Sequence, residues 1–424
     1  MNDLDKRRET INEIDLKMAH LFKERMKEVK AIAQYKKKEG LSITDKEREE
    51  ALIKKNSSYI SDDEIKELYV DFIKKEIELS KEYQKTIINN ANVIRVRGKY
   101  DIHIEKDIIH KINNYIDTNN RKVLIVSDSN IPKEYIDIVK SQINDSYVFI
   151  FEAGEKSKSI ETYLSIEKYL LEQNFTRHDA IIALGGGVTG DLSGFASSTY
   201  MRGIDFYNIP TSLLSMVDSS VGGKTGIDFN GVKNIIGTFY QPKAVLIDPN
   251  LLKTLPVREF NAGLAEAIKM ALTFNKELFE FIENSDDISF DIEKVIYESI
   301  KIKAMVVEKD EKEKDSRSVL NFGHTIGHAI EAYFKGHVLH GEAIAVGMLF
   351  FVSKDVKARL IKVLNKYNLN TPYEYDKNEI LSLISHDKKM EKDKIKIIKV
   401  DEIGTYKIDY LSLSEIGELL WVTQ

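Results

Sequence analysis

The sequence predicts a multi-domain chain: an all-α segment of three helices, an α/β domain, then a second, mainly helical domain. Three observations predict it. Residues 1–88 hold no proline and a single glycine, Gly40, and their apolar residues recur at threes and fours. From Val93 onward, short continuous apolar runs alternate with helical spans, as in a parallel sheet buried on both faces. Beyond Pro256 the spacing turns helical again. The boundaries fall at 1–88, 91–255 and 256–424, and 424 residues exceed one ordinary core.

In the first segment Ile11, Ile14, Met18, Leu21, Arg25, Val29 and Ile32 mark one helix face, expected to be buried. Thr44-Asp45-Lys46-Glu47 has a capping-box pattern and starts a second helix carrying Arg48 and Glu49. A third follows Ser61-Asp62-Asp63-Glu64, with Ile65, Leu68, Phe72, Ile73, Ile77, Ser80, Tyr83, Gln84 and Ile87 inward. The first helix outruns its partners, so dimerisation through it is expected. A buried arginine is costly unless paired. One such residue fits a salt bridge to a neighbouring helix. Arg8, Arg25, Lys36, Arg48, Glu49, Ser80 and Gln84 together fit a dianionic ligand inside the bundle.

This set in register resembles the all-helical chorismate mutase family over the whole segment. That family forms an intertwined dimer that isomerises chorismate to prephenate. The resemblance implies that Arg8 (from the other subunit), Arg25 and Arg48 hold two carboxylates. Lys36 and Gln84 donate to the ether oxygen, Glu49 and Asp45 bind the hydroxyl end, and Ser80 lines the site. The rearrangement needs a compact conformer and charge stabilisation at one oxygen.

Asn89-Asn90-Ala91-Asn92 breaks the helical pattern. Val93–Val96 and Tyr100–Ile104 read as strands, as do the runs Lys122–Val126, Asp179–Leu184 and Lys243–Asp248. Gly185, Gly187 and Gly190 satisfy G-x-G-x-x-G between a strand and a helix, where backbone N–H groups can approach a pyrophosphate. Asp128 ends an earlier strand and could take ribose hydroxyls. Gly223-Lys224-Thr225 invites a P-loop reading, but Asp218 stands where that motif needs glycine. Lys224 and Lys233-Asn234 read instead as an anion site in a glycine-permitted loop.

In the last segment Glu266 and Lys269 share a helix face, Lys303 lies on the next helix, and Arg317 and Asn321 lead into His324 and His328. Thr325 stands where a zinc peptidase would carry glutamate, which argues against H-E-x-x-H chemistry. Two histidines four apart, His340 a dozen residues on and Glu266 upstream suit an open catalytic metal site without thiolates.

Residues 91–424 closely resemble 3-dehydroquinate synthase. The matching stretches are Gly185–Asp191, Tyr200–Gly203, Val221–Thr225, Lys233-Asn234, Ala265–Lys269, Asn321–His324 with His328, Leu339–Glu342 and Asp387–Lys389. The resemblance implies an NAD-binding α/β domain, a helical metal-binding domain and a substrate site between them. It implies NAD used and regenerated in each turnover, and a divalent metal, usually zinc, with cobalt as the alternative. Glu266, His324 and His340 would hold the metal. Arg202, Lys224, Asn234 and Lys388 or Lys389 would grip the phosphate end of 3-deoxy-D-arabino-heptulosonate 7-phosphate. Asp218, Lys269, Lys303, Arg317, Asn321 and His328 would line the site, with His328 shuttling a proton. Asp128, Asn130, Glu155, Lys158, Gly186, Gly187, Val188, Asp191, Thr211, Ser212, Lys233 and Thr254 match cofactor-contact positions.

Composition narrows the partners. Sixty-two basic against 68 acidic residues give net −6, with no basic excess for nucleic acid. The absence of cysteine excludes disulfides and thiol catalysis. No apolar run approaches membrane length and the charged N-terminus is no signal peptide, so a soluble cytoplasmic enzyme with small-molecule substrates, forming a homodimer or higher homo-oligomer, is expected. Competing readings are a glycerol or iron-containing alcohol dehydrogenase, which would not need the anion-binding set; another sugar-phosphate cyclase, against which the helical segment argues; and a synthase whose first 88 residues only sense a ligand or dimerise.

Overall fold

The computed structural model describes residues 3–39, 45–88, 92–96, 99–311, 316–369, 373–385, 390–391 and 394–422. They form two compact units, Met1–Val93 and Ile94–Gln424.

The first unit holds α1 (Asp3–Glu39), α2 (Lys46–Ser57) and α3 (Asp63–Ile88). Asp45 caps α2, its carboxylate accepting from the Arg48 N–H at 3.1 Å. Thr44, the other candidate cap, lies outside the described residues. Asp62 does the same for α3, accepting from Glu64 and Ile65. Only the C-terminal part of the α1 stripe is buried within one chain: Val29 is covered, while Ile11, Ile14, Met18 and Leu21 are 46–64% exposed. The expected burial of the whole stripe is therefore not met by α2 and α3. On α3, Ile73, Ile77, Ser80 and Gln84 are buried, but Ile65, Leu68 and Phe72 stay exposed.

The second unit is built on a seven-stranded sheet. Its strands are β1 (Asn92–Val96), β2 (Tyr100–Ile104), β3 (Val123–Asp128), β4 (Ser146–Phe151), β5 (Ala180–Gly185), β6 (Asp205–Pro210) and, after a hairpin, β9 (Ala244–Ile247). The order is β1-β2-β9-β6-β5-β3-β4, and the pairs from β2 to β4 are parallel. Alternate residues face two separate cores: Ile125, Ile182 and Leu184 one way, Leu124, Val126 and Ile181 the other. Each such side chain contributes roughly 1.5–3 kcal/mol by burial, which is why these strands read as unbroken apolar runs. Helices α4 (Lys133–Ser141), α5 (Ile160–Glu172) and α6 (Gly187–Thr199) link the strands.

The stretch around Lys224 and Lys233 is a two-stranded hairpin, β7 (Lys224–Phe229) and β8 (Val232–Phe239), and not the loop expected. Asn230 and Gly231 make the turn with φ of 50° and 77°, the left-handed pair that a two-residue hairpin loop demands.

Helices α7 (Val257–Phe274), α8 (Lys276–Asn284), α9 (Ile292–Lys309), α10 (His324–Tyr333) and α11 (His340–Met348) follow. Three of them meet backbone to backbone. A methyl group on Gly341 of α11 would collide with the Ala262 carbonyl of α7, and one on Gly347 with the Gly323 carbonyl before α10. This last portion also carries an antiparallel sheet of β10 (Met390–Glu391), β11 (Lys394–Lys399) and β12 (Lys407–Ser412), so it is not purely helical. Among the described residues no helix is long and apolar enough to cross a membrane.

Candidate active sites

The centre of the second unit is Glu266. It sits mid-helix on α7 and is 1% exposed, yet neither carboxylate oxygen has an aligned hydrogen-bond partner. A buried carboxylate is costly unless cationic groups face it. Lys269, one turn on, ion-pairs with Oε2. Facing Oε1 are Nε2 of His340 at 3.4 Å and Nε2 of His324 at 3.7 Å. One ligand atom from each of the three lies within 4.8 Å of the others, a donor set of two imidazoles and a carboxylate that fits a divalent cation.

The far sides of both rings are held. His324 Nδ1 lies 3.0 Å from the Phe322 carbonyl, and His340 Nδ1 lies 2.9 Å from Glu331 Oε2. A proton on each Nδ1 turns the Nε2 lone pairs toward Glu266. Glu342 fixes the start of α11: it receives two bonds from Arg258, at 2.7 and 2.8 Å, and one from the Leu339 N–H at 2.8 Å. Burial pushes Glu266 up, but Lys269 and His340 more than offset it and hold the carboxyl at about 2. Burial, with Lys269 beside it, drives His324 well below the usual imidazole range. His328 packs on His324 with ring centroids 5.0 Å apart, and it also lies within ligand spacing of Glu331 and His340.

Lys303 of α9 donates to both the carbonyl and the carboxylate of Asp218, each at 2.6 Å. Asp218 lies in a π-helical turn, Ser215–Ser219, whose extra residue presents main chain and side chain to one ammonium. Burial lowers Lys303 to about 8 despite Asp218. Arg317 is buried and donates to the carbonyls of Gly222 and Glu311, at 3.3 and 2.7 Å. Gly222 has φ 105°, and a side chain there would strike the guanidinium. Asn321 closes the short helical turn before Gly323 and α10. Lys224 is exposed, and Arg202 and Asn234 are exposed with left-handed φ of 68° and 52°. Lys388 and Lys389 lie outside the described residues.

The cofactor-type residues gather at the C-terminal ends of the parallel strands, where open α/β sheets bind ligands. Gly186 and Gly187 begin α6 directly after β5, and Val188 packs inward beside them. Asp128 ends β3; one oxygen accepts from Thr189 Oγ1 at 2.9 Å, the other from the Asn130 N–H at 3.0 Å. Lys158 and Asp191 pair at 2.5 Å. Thr211 N donates to Gly185 O at 3.0 Å, joining the end of β6 to the glycine turn, and Ser212 bonds Ser215 at 2.9 Å. Lys233 reaches Glu331 at 2.6 Å and Glu155 at 3.9 Å. Thr254 Oγ1 lies 3.3 Å from the Tyr135 hydroxyl and 3.3 Å from the Leu251 carbonyl of its own turn.

In the helical unit Arg25 donates to Ser80 and pairs with Glu76 at 3.1 Å. Glu49 pairs with Lys81 at 2.8 Å. Gln84 is 8% exposed, and its Oε1 has no hydrogen-bond partner. Asp45 serves α2 as its cap, Lys36 is half-buried, and Arg8 and Arg48 are exposed.

With the geometry described, similarity to known proteins can be placed on it. Family models for the 3-dehydroquinate synthase N-terminal and C-terminal regions match residues 148–262 and 263–390. A 3-dehydroquinate synthase of Streptococcus mutans is 41% identical over 350 residues, covering 78% of this chain and 99% of that protein.

The chain belongs to the 3-dehydroquinate synthase family.

A second such synthase, from Clostridium beijerinckii, is 43% identical over 328 residues, covering 72% of this chain and 93% of its own length. A solved 2-deoxy-scyllo-inosose synthase, complexed with carbaglucose-6-phosphate, NAD+ and Co2+, superposes with a TM-score of 0.72 at 25% identity, covering 78% of this chain and 99% of that one. The model for chorismate mutase type II matches residues 7–85. A 3-dehydroquinate synthase and a chorismate mutase are thus fused on one polypeptide, and both enzyme activities belong to the chain.

Five residues around these sites are absent from the sequence-based set. Glu331, Arg258 and Glu342 support the His340 side of the synthase site, and Glu76 and Lys81 pair with Arg25 and Glu49. Helical spacing could have found Glu331, three residues after His328 and seven after His324.

Proposed function

We propose that residues 91–255 carry NAD and residues 256–424 the divalent metal, zinc or alternatively cobalt, for turnover of 3-deoxy-D-arabino-heptulosonate 7-phosphate to 3-dehydroquinate and phosphate. The observation that carries the reading is the buried Glu266, paired on one side with Lys269 and facing two imidazole nitrogens on the other. When bound, NAD supplies hydride acceptance and return, and the cation supplies charge at the substrate hydroxyls.

Glu266, His324 and His340 hold the cation. Asp128, with Asn130, takes the ribose hydroxyls. Gly186, Gly187 and Val188 bring the start of α6 to the pyrophosphate, and Glu155, Lys158, Asp191, Thr211, Ser212, Lys233 and Thr254 surround the dinucleotide. Arg202, Lys224, Asn234 and Lys388 or Lys389 bind the phosphate that leaves. Lys269, Lys303, Arg317, Asn321 and Asp218 orient the substrate's carboxylate and hydroxyls. His328 exchanges the proton of the hydroxyl at C5, a role suited to an imidazole beside the ligand pair.

The helical unit isomerises chorismate to prephenate, in which one C–O bond breaks and one C–C bond forms. Arg8 of a second subunit, Arg25 and Arg48 hold the two carboxylates. Lys36 and the amide Nε2 of the buried Gln84 donate to the ether oxygen, and Ser80, Asp45 and Glu49 complete the pocket. A homodimer through α1 fits its exposed apolar residues. On this reading the chain is a biosynthetic enzyme of the cytoplasm, with small molecules as its substrates.

The test gives the purified chain each substrate, with and without a chelator. Phosphate release should stop with chelator and return with added zinc or cobalt, while prephenate formation continues. Arg25→Ala should abolish prephenate formation and leave phosphate release intact. Phosphate release indifferent to chelator would remove the metal role. Loss of both activities in the Arg25 variant would remove the independence of the two units.

A further inference from the structure

Arg25 is the one predicted carboxylate-binding arginine that the helical unit draws inward. It lies on α1 opposite α3, where it donates through Nη1 to Ser80, a residue only 5% exposed. Its Nε stands 3.1 Å from Glu76 Oε1, and the Glu76 side chain is 16% exposed. Glu76 and Ser80 are one turn apart on α3, so they meet the guanidinium side by side. The Ser80 hydroxyl in turn donates to the Glu76 carbonyl at 2.7 Å. One turn past Ser80, the buried Gln84 leaves its side-chain oxygen without a partner. A ligand pocket built on Arg25, Ser80 and Gln84 therefore contains a carboxylate of the chain's own.

A guanidinium carries five donors, and here Glu76 stands on Nε and Ser80 on Nη1. A dianionic ligand at Arg25 meets Glu76 in two ways. The ligand competes with Glu76 for the edge of the guanidinium that carries Nε, and its own carboxylate comes to rest near a like charge. Both effects weaken binding, and the second is larger at a partly buried position because water screens less there. A neutral acceptor of the same shape would leave Arg25 held in place and remove the repulsion.

We infer that Glu76 is an affinity-determining residue of the mutase site, a resident carboxylate that the substrate's carboxylate displaces from Arg25. The inference rests on the mutase reading of residues 7–85 and extends it to a residue outside the predicted catalytic set. Glu76 sets how tightly the dianion binds; it takes no part in the bond changes.

The test compares Glu76→Gln with Glu78→Gln in the full chain. Glu78 is on the same helix and pairs with Lys75 at 2.7 Å, with its side chain 54% exposed, so it controls for the loss of one negative charge. The expected result is a fall of about five- to tenfold or more in KM for chorismate in Glu76→Gln alone, about five- to tenfold being what a like charge at short range gives when water screens it fully. Prephenate kcat should stay within about twofold, since the carboxylates persist through the rearrangement and bound substrate and transition state gain equally. Mere structural damage would move KM the other way. An unchanged or raised KM, or an equal fall in both variants, overturns the inference. A wild-type chain that makes no prephenate would sink the mutase reading, and the same comparison is then read as a chorismate Kd by calorimetry. A chain that neither converts nor binds chorismate overturns both.

Discussion

Glu331 illustrates how a single side chain organises a site it does not enter. Its two oxygens serve different elements: Oε2 accepts from His340 Nδ1 at 2.9 Å and Oε1 from Lys233 of β8 at 2.6 Å. The first contact fixes which nitrogen of His340 faces Glu266. Glu331→Gln should therefore weaken zinc or cobalt binding by about 10- to 100-fold, measured by competition with a chromogenic chelator, the usual cost of losing such a support. An affinity within twofold of wild type would refute the role. Lys303 makes a second prediction. Held at about 8, it is a cation below that pH and neutral above it. A lysine that binds an anionic substrate loses affinity as its charge goes, so the synthase KM should rise as pH passes upward through about 8. Lys303→Met should raise KM throughout and flatten that limb of the profile. These residue-level facts were only partly legible beforehand. Glu266, His324 and His340 stand out because their types and spacing suit a metal. Glu331 lies on α10 with His324 but looks like any solvated glutamate until its partners come into view, His340 at the start of α11 and Lys233, 98 positions away on β8.

At the level of elements, the ligands converge because helices α7, α10 and α11 touch through main chain. Gly341 against Ala262 sets the distance between the helices bearing His340 and Glu266. Gly341→Ala should force the two helices apart, destabilising the synthase unit by roughly 1–3 kcal/mol, as overpacking does. A lowered Tm of that unit and weaker metal binding should appear together, with mutase activity retained. Unchanged metal affinity would show that the separation is not what the glycine maintains. The runs that became β3, β5 and β9 were readable because both their faces are buried, leaving no polar residue in β5 or β9 and only Ser127 and Asp128 at the end of β3. The β7–β8 hairpin carries one strong signal, the Asn230-Gly231 turn, and its glycines and lysines equally suit an anion-binding loop. β11 and β12 are weakly signalled, because Lys394-Ile395-Lys396-Ile397 alternates over few residues and lies among helical patterns.

Across the whole molecule, the chain holds two cores of unequal completeness. The synthase unit closes its cores within one chain, and the three candidate metal ligands come from that same chain. The helical unit buries only part of α1, leaving Leu4, Ile11, Ile14, Leu16, Met18, Leu21 and Phe22 between 42% and 64% exposed. The multi-domain layout was visible in sequence because each part has its own periodicity. What lay beyond it was how far α1 would be covered by its own chain, since a stripe of apolar residues looks the same whether an intramolecular helix or a second copy buries it. In the proposed dimer through α1, mutase activity becomes a matter of population, while the candidate metal ligands of the synthase unit all come from one chain. On serial dilution from micromolar to low nanomolar chain, mutase turnover per chain should fall once pairs separate, whereas phosphate release per chain at saturating NAD and metal should hold steady. Two catalysts encoded together would then report on different things, one on how much protein is present and the other only on its substrate.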